Sequence, residues 1–268
     1  MPPVNPEAAS LSGEHIQFSF GENWQQYLRG LDDRKIDQAQ ASLCTSFGSD
    51  DFGGRTFLDV GCGSGVFSLA AHRLGAVVTS VDVDPASVAC AQHLRGDDED
   101  WTVVQGSILR LSDIPLAERV YAWGVLHHTG AMWAAVEKTL ALVEPDGLAC
   151  IALYNRPHRP AAQLAVKRLY NRRGVAGRKF LELAYGLALL ALGGLVHRRN
   201  PISYVRQYGE NSRGMSFWRD VKDWLGGLPF EYTDVEEFRQ HVPDDFDLVR
   251  VQERPPGACN EYLLRRKA

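Results

Sequence analysis

Phe57-Leu58-Asp59-Val60-Gly61-Cys62-Gly63-Ser64-Gly65 is the stretch that decides the fold. A β-prone run from Arg55 to Val60 leads into three glycines at every second position, and a helical pattern follows at once from Val66 to Leu74. A strand ending in a glycine turn that opens a helix is a nucleotide-binding corner. The glycines let backbone approach a ligand closely, and the helix N-terminus offers backbone N–H groups that have no partner within the helix.

The spacing narrows the ligand. A dinucleotide fold uses G-x-G-x-x-G, whereas the glycines here read G-x-G-x-G behind an acidic residue, Asp59. The next strand, Ala76 to Val81, ends in Asp82, placed where a carboxylate can take ribose hydroxyls. Outward from this corner the alternation continues. Strands are expected at Trp101–Gln105, Arg119–Trp123 and Leu148–Leu153, with helices at Pro85–Arg95 and Met132–Leu142. Asp84-Pro85 is an N-cap followed by proline at the first helical position. Alternating strands and helices imply a parallel sheet with helices on both faces. Near the end of the chain, a short helix at Thr233–His241 precedes two strands, Phe246–Glu253 and Glu261–Arg266, separated by Pro255-Pro256-Gly257. Before the corner, Met1–Gly13 reads as a polar, disordered tail and Asn23–Ser42 as one or two helices with Trp24, Tyr27, Leu28, Leu31 and Ile36 apolar.

D-V-G-C-G-S-G followed by V-D-V-D-P resembles the first two motifs of the class I S-adenosylmethionine methyltransferases. The segment Trp123-Gly124-Val125-Leu126-His127-His128-Thr129-Gly130 is similar to one common among methyltransferases of the ubiquinone-biosynthesis type. Phe20–Trp24, Met132-Trp133, Leu153–Asn155, Arg213–Ser216, Trp224–Phe230 and Asn260–Tyr262 extend the likeness to a bacterial group of such enzymes whose acceptors are mostly unassigned. The resemblance implies a Rossmann-like α/β fold: a seven-stranded, mostly parallel sheet with an antiparallel last strand, N-terminal helices and a helical lid. On it, residues 1–50 are tail and helices, 51–154 the cofactor-binding core, 155–227 the lid, and 228–268 the helix and hairpin that complete the core.

The resemblance also assigns roles. Gly61, Cys62, Gly63 and Gly65 approach the methionine part of S-adenosylmethionine and Asp59 orients its amino group. Asp82, with Val83 beside it, takes the ribose. Ser107 and Ile108 stand where many family members have an acidic residue that takes the adenine amino group; this chain departs from that pattern with Ser107, so a hydroxyl or a backbone group is expected to make the contact. Trp123 lines the methionine arm and Trp24 covers the cofactor. On the acceptor side are Tyr154 and Asn155, which follow the fifth strand, with Arg213 and Trp218 from the insertion. His128 or His127 is the candidate general base, since a neutral imidazole accepts a proton near pH 7. The competing reading makes both histidines loop-shaping hydrogen-bonders.

Composition bounds the rest. The 268 residues, 45% hydrophobic, suffice for one substantial core plus a subdomain, and a net charge of −4 argues against polyanion binding by bulk charge. Five scattered cysteines without a C-x-x-C pair fit reduced thiols and give no metal site. Met1–Ser10 lacks the apolar core and basic start of a signal peptide, so a cytoplasmic protein is expected. The insertion departs from this balance. Residues 156–206 carry eleven Lys or Arg against one acid, Glu182. Such a run reads first as a solvated helical face, with an anionic acceptor, RNA or a membrane surface as alternatives. Phe180–Val196, apolar apart from Glu182, suits a buried lid helix or a homodimer contact, with interfacial membrane contact as the alternative. The expected activity is methyl transfer from S-adenosylmethionine to a small-molecule hydroxyl. An RNA-modifying methyltransferase and a non-catalytic S-adenosylmethionine-binding protein are the competing readings.

Overall fold

The structure is a computed structural model describing residues 31–197, 200–211 and 216–268. Trp24 and Arg213, with the Met1–Gly13 tail and the start of the N-terminal helical region, lie outside the described residues.

The described chain opens with α1 (Asp33–Phe47) and then alternates β1 (Thr56–Val60), α2 (Val66–Arg73), β2 (Val77–Asp82), α3 (Pro85–Arg95), β3 (Trp101–Gln105) and β4 (Ala117–Trp123). A 3-10 turn (Leu126–His128), α4 (Met132–Ala141) and β5 (Val143–Tyr154) follow. Four helices come next: α5 (Pro160–Asn171), α6 (Val175–His197), α7 (Pro201–Asn211) and α8 (Phe217–Gly226). The chain closes with α9 (Val235–Gln240), β6 (Phe246–Gln252) and β7 (Cys259–Arg266). The sheet has seven strands in the order β3-β2-β1-β4-β5-β7-β6. β1 to β5 pair in parallel, and β7 runs antiparallel to both β5 and β6. This is the Rossmann-like sheet that the sequence implied.

The chain divides into two compact units. One holds the described residues up to His158 and those from Pro229 onward; the other is Arg159–Leu228. In the first, the central strands are buried on both faces, so β1, β4 and β5 are mostly apolar, with Leu148–Leu153 of β5 an unbroken apolar run. One side carries Leu58, Val60, Val120 and Ile151 against α4, α9 and the hairpin. The other carries Phe57, Val78, Tyr121 and Cys150 against α1 and α2.

Two boundaries differ from the sequence reading by five residues, each for a physical reason, and others by one or two. The first described helix runs to Phe47, beyond the expected end at Ser42, because Leu43 and Phe47 are core residues and Gly48, at φ 67°, closes the helix in the left-handed region. β5 starts at Val143 rather than Leu148. Glu144-Pro145-Asp146-Gly147 looks like a plain turn, yet Val143 pairs with Ala117 before a register shift lets Leu148 pair with Arg119. Asp146 there adopts φ 62°.

In the second unit, α8 buries Phe217, Val221 and Leu225. Trp224 stacks on Tyr185 with ring centroids 4.5 Å apart, and the Tyr170 hydroxyl donates to Glu182 at 2.5 Å. Lys167, expected on a solvated face, is fully buried; its Nζ donates to the Trp224 carbonyl and lies over the Trp224 ring. Burial lowers its pKa to about 7, against an opposing pull from Asp223. The unfolded chain therefore holds this proton between about pH 7 and the ordinary lysine range while the folded chain does not. This group alone makes stability rise with pH across that window. Lys167→Met should remove the rise: the wild-type melting midpoint should gain several degrees relative to the variant between pH 7 and pH 9. A constant difference between the two melting curves across that range would contradict the burial.

Candidate cofactor and acceptor site

The nucleotide corner is built from backbone geometry. Gly61, Gly63 and Gly65 all take positive φ, at 72°, 55° and 76°. Two of them are also dictated by packing. A Cβ on Gly61 would sit 2.3 Å from Val125 Cγ2, and one on Gly65 would sit 2.9 Å from Ala91 Cα. The loop thus needs glycine to let the turn after β4 and helix α3 approach it. Cys62 is buried among core residues, and burial pushes its thiol pKa well up, so packing accounts for it.

The loop is held from the end of β2. Asp82 Oδ2 accepts the Gly63 N–H at 2.9 Å, and Oδ1 accepts the Asp84 N–H at 2.9 Å. A carboxylate has about four acceptor positions; the Gly63, Asp84 and Val83 N–H groups draw on it, leaving acceptor capacity on a half-buried group at the carboxyl end of the strand. Burial raises the Asp82 pKa above the usual carboxylate range, against these hydrogen bonds. Val83 beside it is exposed, and Asp84 caps α3 through the Ala86 N–H at 2.8 Å. Gly106 N–H reaches the Asp82 carbonyl at 2.9 Å, which brings the end of β3 alongside. Ser107 there is half-buried and accepts from the Leu109 N–H, while Ile108 points into the core with Val81 and Leu126.

Asp59 is placed differently from Asp82. It is buried and accepts from the Ser68 hydroxyl at 2.6 Å. Ser68 accepts from Ser80 at 2.7 Å, and Ser80 from the Trp101 indole N–H at 2.7 Å. Four residues from β1, α2, β2 and β3 thus form one donor chain ending on a carboxylate. The sequence reading missed Ser68, Ser80 and Trp101 in this role. The signal was present as serines on otherwise apolar, inward-facing positions, but the pairing of their positions is a product of the sheet.

The acceptor-side candidates divide. His127, His128 and Tyr154 come together: Tyr154 lies 3.9 Å from His127 and 5.4 Å from His128 by ring centroids, with Phe230 5.7 Å from Tyr154. His127 is buried, and its Nδ1 accepts the Tyr154 N–H at 3.3 Å. His128 is half-buried, and its Nδ1 lies 2.7 Å from the Pro229 carbonyl. A carbonyl only accepts, so the proton sits on Nδ1 and the lone pair on Nε2. Pro229, Phe230 and Glu231 form a return segment the sequence reading did not connect to this turn. Glu231 N–H donates to the His127 carbonyl at 3.0 Å, and its Oε1 accepts the Met132 N–H at 3.1 Å, capping α4. Burial raises the Glu231 pKa. Asn155 turns elsewhere: it is buried, and its Nδ2 donates to the Arg254 carbonyl at 2.6 Å, tying β5 to the hairpin loop. Trp123 is half-buried beside the α1–α2 core. In the second unit Trp218 of α8 packs against α6, where a Cβ on Gly186 would come 2.4 Å from its ring.

Residues 58–151 match the family described as a methyltransferase domain. A ubiquinone biosynthesis O-methyltransferase of Methylobacterium nodulans is 30% identical over 144 residues, covering 51% of this chain and 57% of that protein. The chain spans about half the length of the curated relatives it matches. Among solved structures, the N-methyltransferase NodS from Bradyrhizobium japonicum, in complex with S-adenosylhomocysteine, aligns with TM-score 0.52 at 12% identity over 93% of this chain and 100% of that one. Magnesium protoporphyrin IX methyltransferase from Synechocystis, also with S-adenosylhomocysteine bound, aligns with TM-score 0.50 at 15% identity over 87% of this chain and 83% of that one. With its sheet order, glycine corner and matched domain, the chain carries a class I methyltransferase domain. The cofactor of that class is S-adenosylmethionine.

Ser68→Ala removes a donor to buried Asp59 and the acceptor of the Ser80 hydroxyl. It should cost about 1–3 kcal/mol in urea unfolding. A change of only a few tenths of a kcal/mol would show that the chain of hydroxyls contributes nothing.

Proposed function

We propose that this protein binds S-adenosylmethionine at the carboxyl ends of β1 and β2 and transfers its methyl group to a hydroxyl of a small molecule. The observation that carries the reading is the Asp82 carboxylate, pinned by the Gly63 and Asp84 N–H groups with acceptor capacity left over. A ribose diol needs such an acceptor, and the left-handed glycine turn beside it is the backbone a close-lying ligand requires. The residues therefore fit the cofactor. When bound, the cofactor supplies an already activated methyl on a sulfonium. In this reading the protein holds acceptor and donor in line, keeps water out and takes one proton.

His128 Nε2 is the atom assigned to that proton. The Pro229 carbonyl holds the opposite ring nitrogen, so the lone pair is oriented before any acceptor arrives, and Glu231 and Tyr154 fix the turn and ring from either side. His127 has its Nδ1 turned to the Tyr154 backbone and is buried, which favours a structural role for it. The name of the Methylobacterium relative supports oxygen as acceptor. Residues 155–227 are assigned as the acceptor-side lid, on their place in the chain directly after β5. The expected basic surface is smaller than the sequence count, since Lys167 is buried and Arg156 pairs with Asp234 and Glu237.

Two measurements test this. Calorimetry with S-adenosylhomocysteine should show binding to the wild type and a loss of at least tenfold for Asp82→Ala, whose removed hydrogen bonds involve a charged acceptor worth about 1.5–3 kcal/mol each. Affinity should also fall on acidification at a pH above the usual carboxylate range, because only ionised Asp82 accepts from both ribose hydroxyls and its pKa is raised. Equal affinity for both proteins would remove the assignment. His128→Ala should lower turnover by about two to four decades while leaving cofactor affinity nearly constant. A loss below fivefold would return His128 to a loop-shaping role.

A further inference from the structure

Helix α6 has two unlike faces. Its inner face is packed within its own unit: Tyr185 stacks on Trp224, and Gly186 sits under the Trp218 ring. Its outer face is apolar and open. Phe180, Leu183 and Leu187 are 69, 52 and 53% exposed, and Ala184 and Ala188 beside them are exposed as well. Positions 180, 183, 184, 187 and 188 follow the i, i+3, i+4 spacing of a single helical stripe. Water against such a stripe is unfavourable, and folded chains rarely leave one uncovered without a partner.

The charge around the stripe identifies the partner. Arg172 and Arg173 are exposed in the turn before α6, and Lys179 is exposed in its first turns. In the sequence Arg198 and Arg199 follow its end. The acid within the helix, Glu182, is turned to the Tyr170 hydroxyl. An apolar stripe with exposed cations at its N-terminal end and no exposed acid matches an anionic lipid surface, where acyl chains take the leucines and headgroup phosphates the basic side chains. Among the described residues no helix is long and apolar enough to cross a membrane.

We propose that the outer face of α6 docks this protein peripherally on anionic membranes, with Phe180, Leu183 and Leu187 entering the interface and Arg172, Arg173 and Lys179 contacting phosphates. The proposal is independent of the methyl-transfer reading.

Sedimentation of the full chain with vesicles tests it. Wild type should bind vesicles of mixed phosphatidylcholine and phosphatidylglycerol and barely bind phosphatidylcholine alone, and added salt should weaken the binding. Phe180→Asp with Leu187→Asp should lower the vesicle partition coefficient at least about tenfold. Arg172→Glu with Arg173→Glu should do the same on anionic vesicles only. All four sites are on the surface, and circular dichroism with thermal melting of each variant shows whether the fold is intact. As a variant that keeps the apolar face, Phe180→Trp should add a tryptophan emission that shifts to the blue with anionic vesicles. Absence of binding to anionic vesicles, or binding unaffected by the aspartates, would overturn the proposal. So would a concentration-dependent dimer, abolished by Phe180→Asp with Leu187→Asp, without vesicle binding, since a second copy would then cover the face.

Discussion

The hydrogen bond from the Gly63 N–H to the Asp82 carboxylate joins the two halves of the nucleotide corner. It requires Gly63 in the left-handed region, β2 in register with β1 so that their ends coincide, and a half-buried carboxylate that keeps acceptor capacity. The register is given by the pairing of Val60 with Val81. Around this bond the remaining contacts have the character of supports. Gly61 admits Val125, Gly65 admits α3, and the hydroxyl chain from Trp101 to Asp59 locks β1, β2, β3 and α2 into one body. A small disturbance at any of them is transmitted to the corner because the interior is close-packed.

The second region is organised by return rather than by alternation. The chain leaves β5, builds four helices, and comes back at Pro229 to the turn it left behind at His127 and His128. The Pro229 carbonyl sets the tautomer of His128, and Glu231 caps α4. In the proposed methyl transfer, this orientation lets His128 take the acceptor's proton without a neighbouring carboxylate to hold the imidazole. Two roles are thus separated within one dipeptide: His127 as a buried strut and His128 as the group with a directed lone pair.

Much of the sheet was legible in the sequence because parallel strands buried on both faces leave mostly apolar runs, and because glycine spacing and Asp84-Pro85 punctuate them. Asp146 with φ 62° illustrates what was not legible: a turn signal inside a strand, overridden by pairing across a register shift. The site was legible only where residues are local. Asp59, the glycines and Asp82 are read off one motif pair. The partners that decide their geometry, Ser68, Ser80, Trp101, Val125 and Pro229, are brought in by topology and carry no spacing that announces them. Asn155 shows the reverse case, a polar residue at the right end of the right strand whose side chain serves the hairpin loop. Lys167 shows it again: it counts toward the basic run in sequence but is buried against Trp224 in the fold.

The central claim is that the Asp82 carboxylate and the glycine turn together form the ribose-side cradle of S-adenosylmethionine. A crystal structure of this protein grown with S-adenosylhomocysteine tests it most directly. The account predicts both ribose hydroxyls within about 2.5–3.0 Å of the Asp82 carboxylate oxygens, with the Gly63 N–H bond to that carboxylate intact. Ribose density on any other side chain, or a bound ligand away from the ends of β1 and β2, would contradict it.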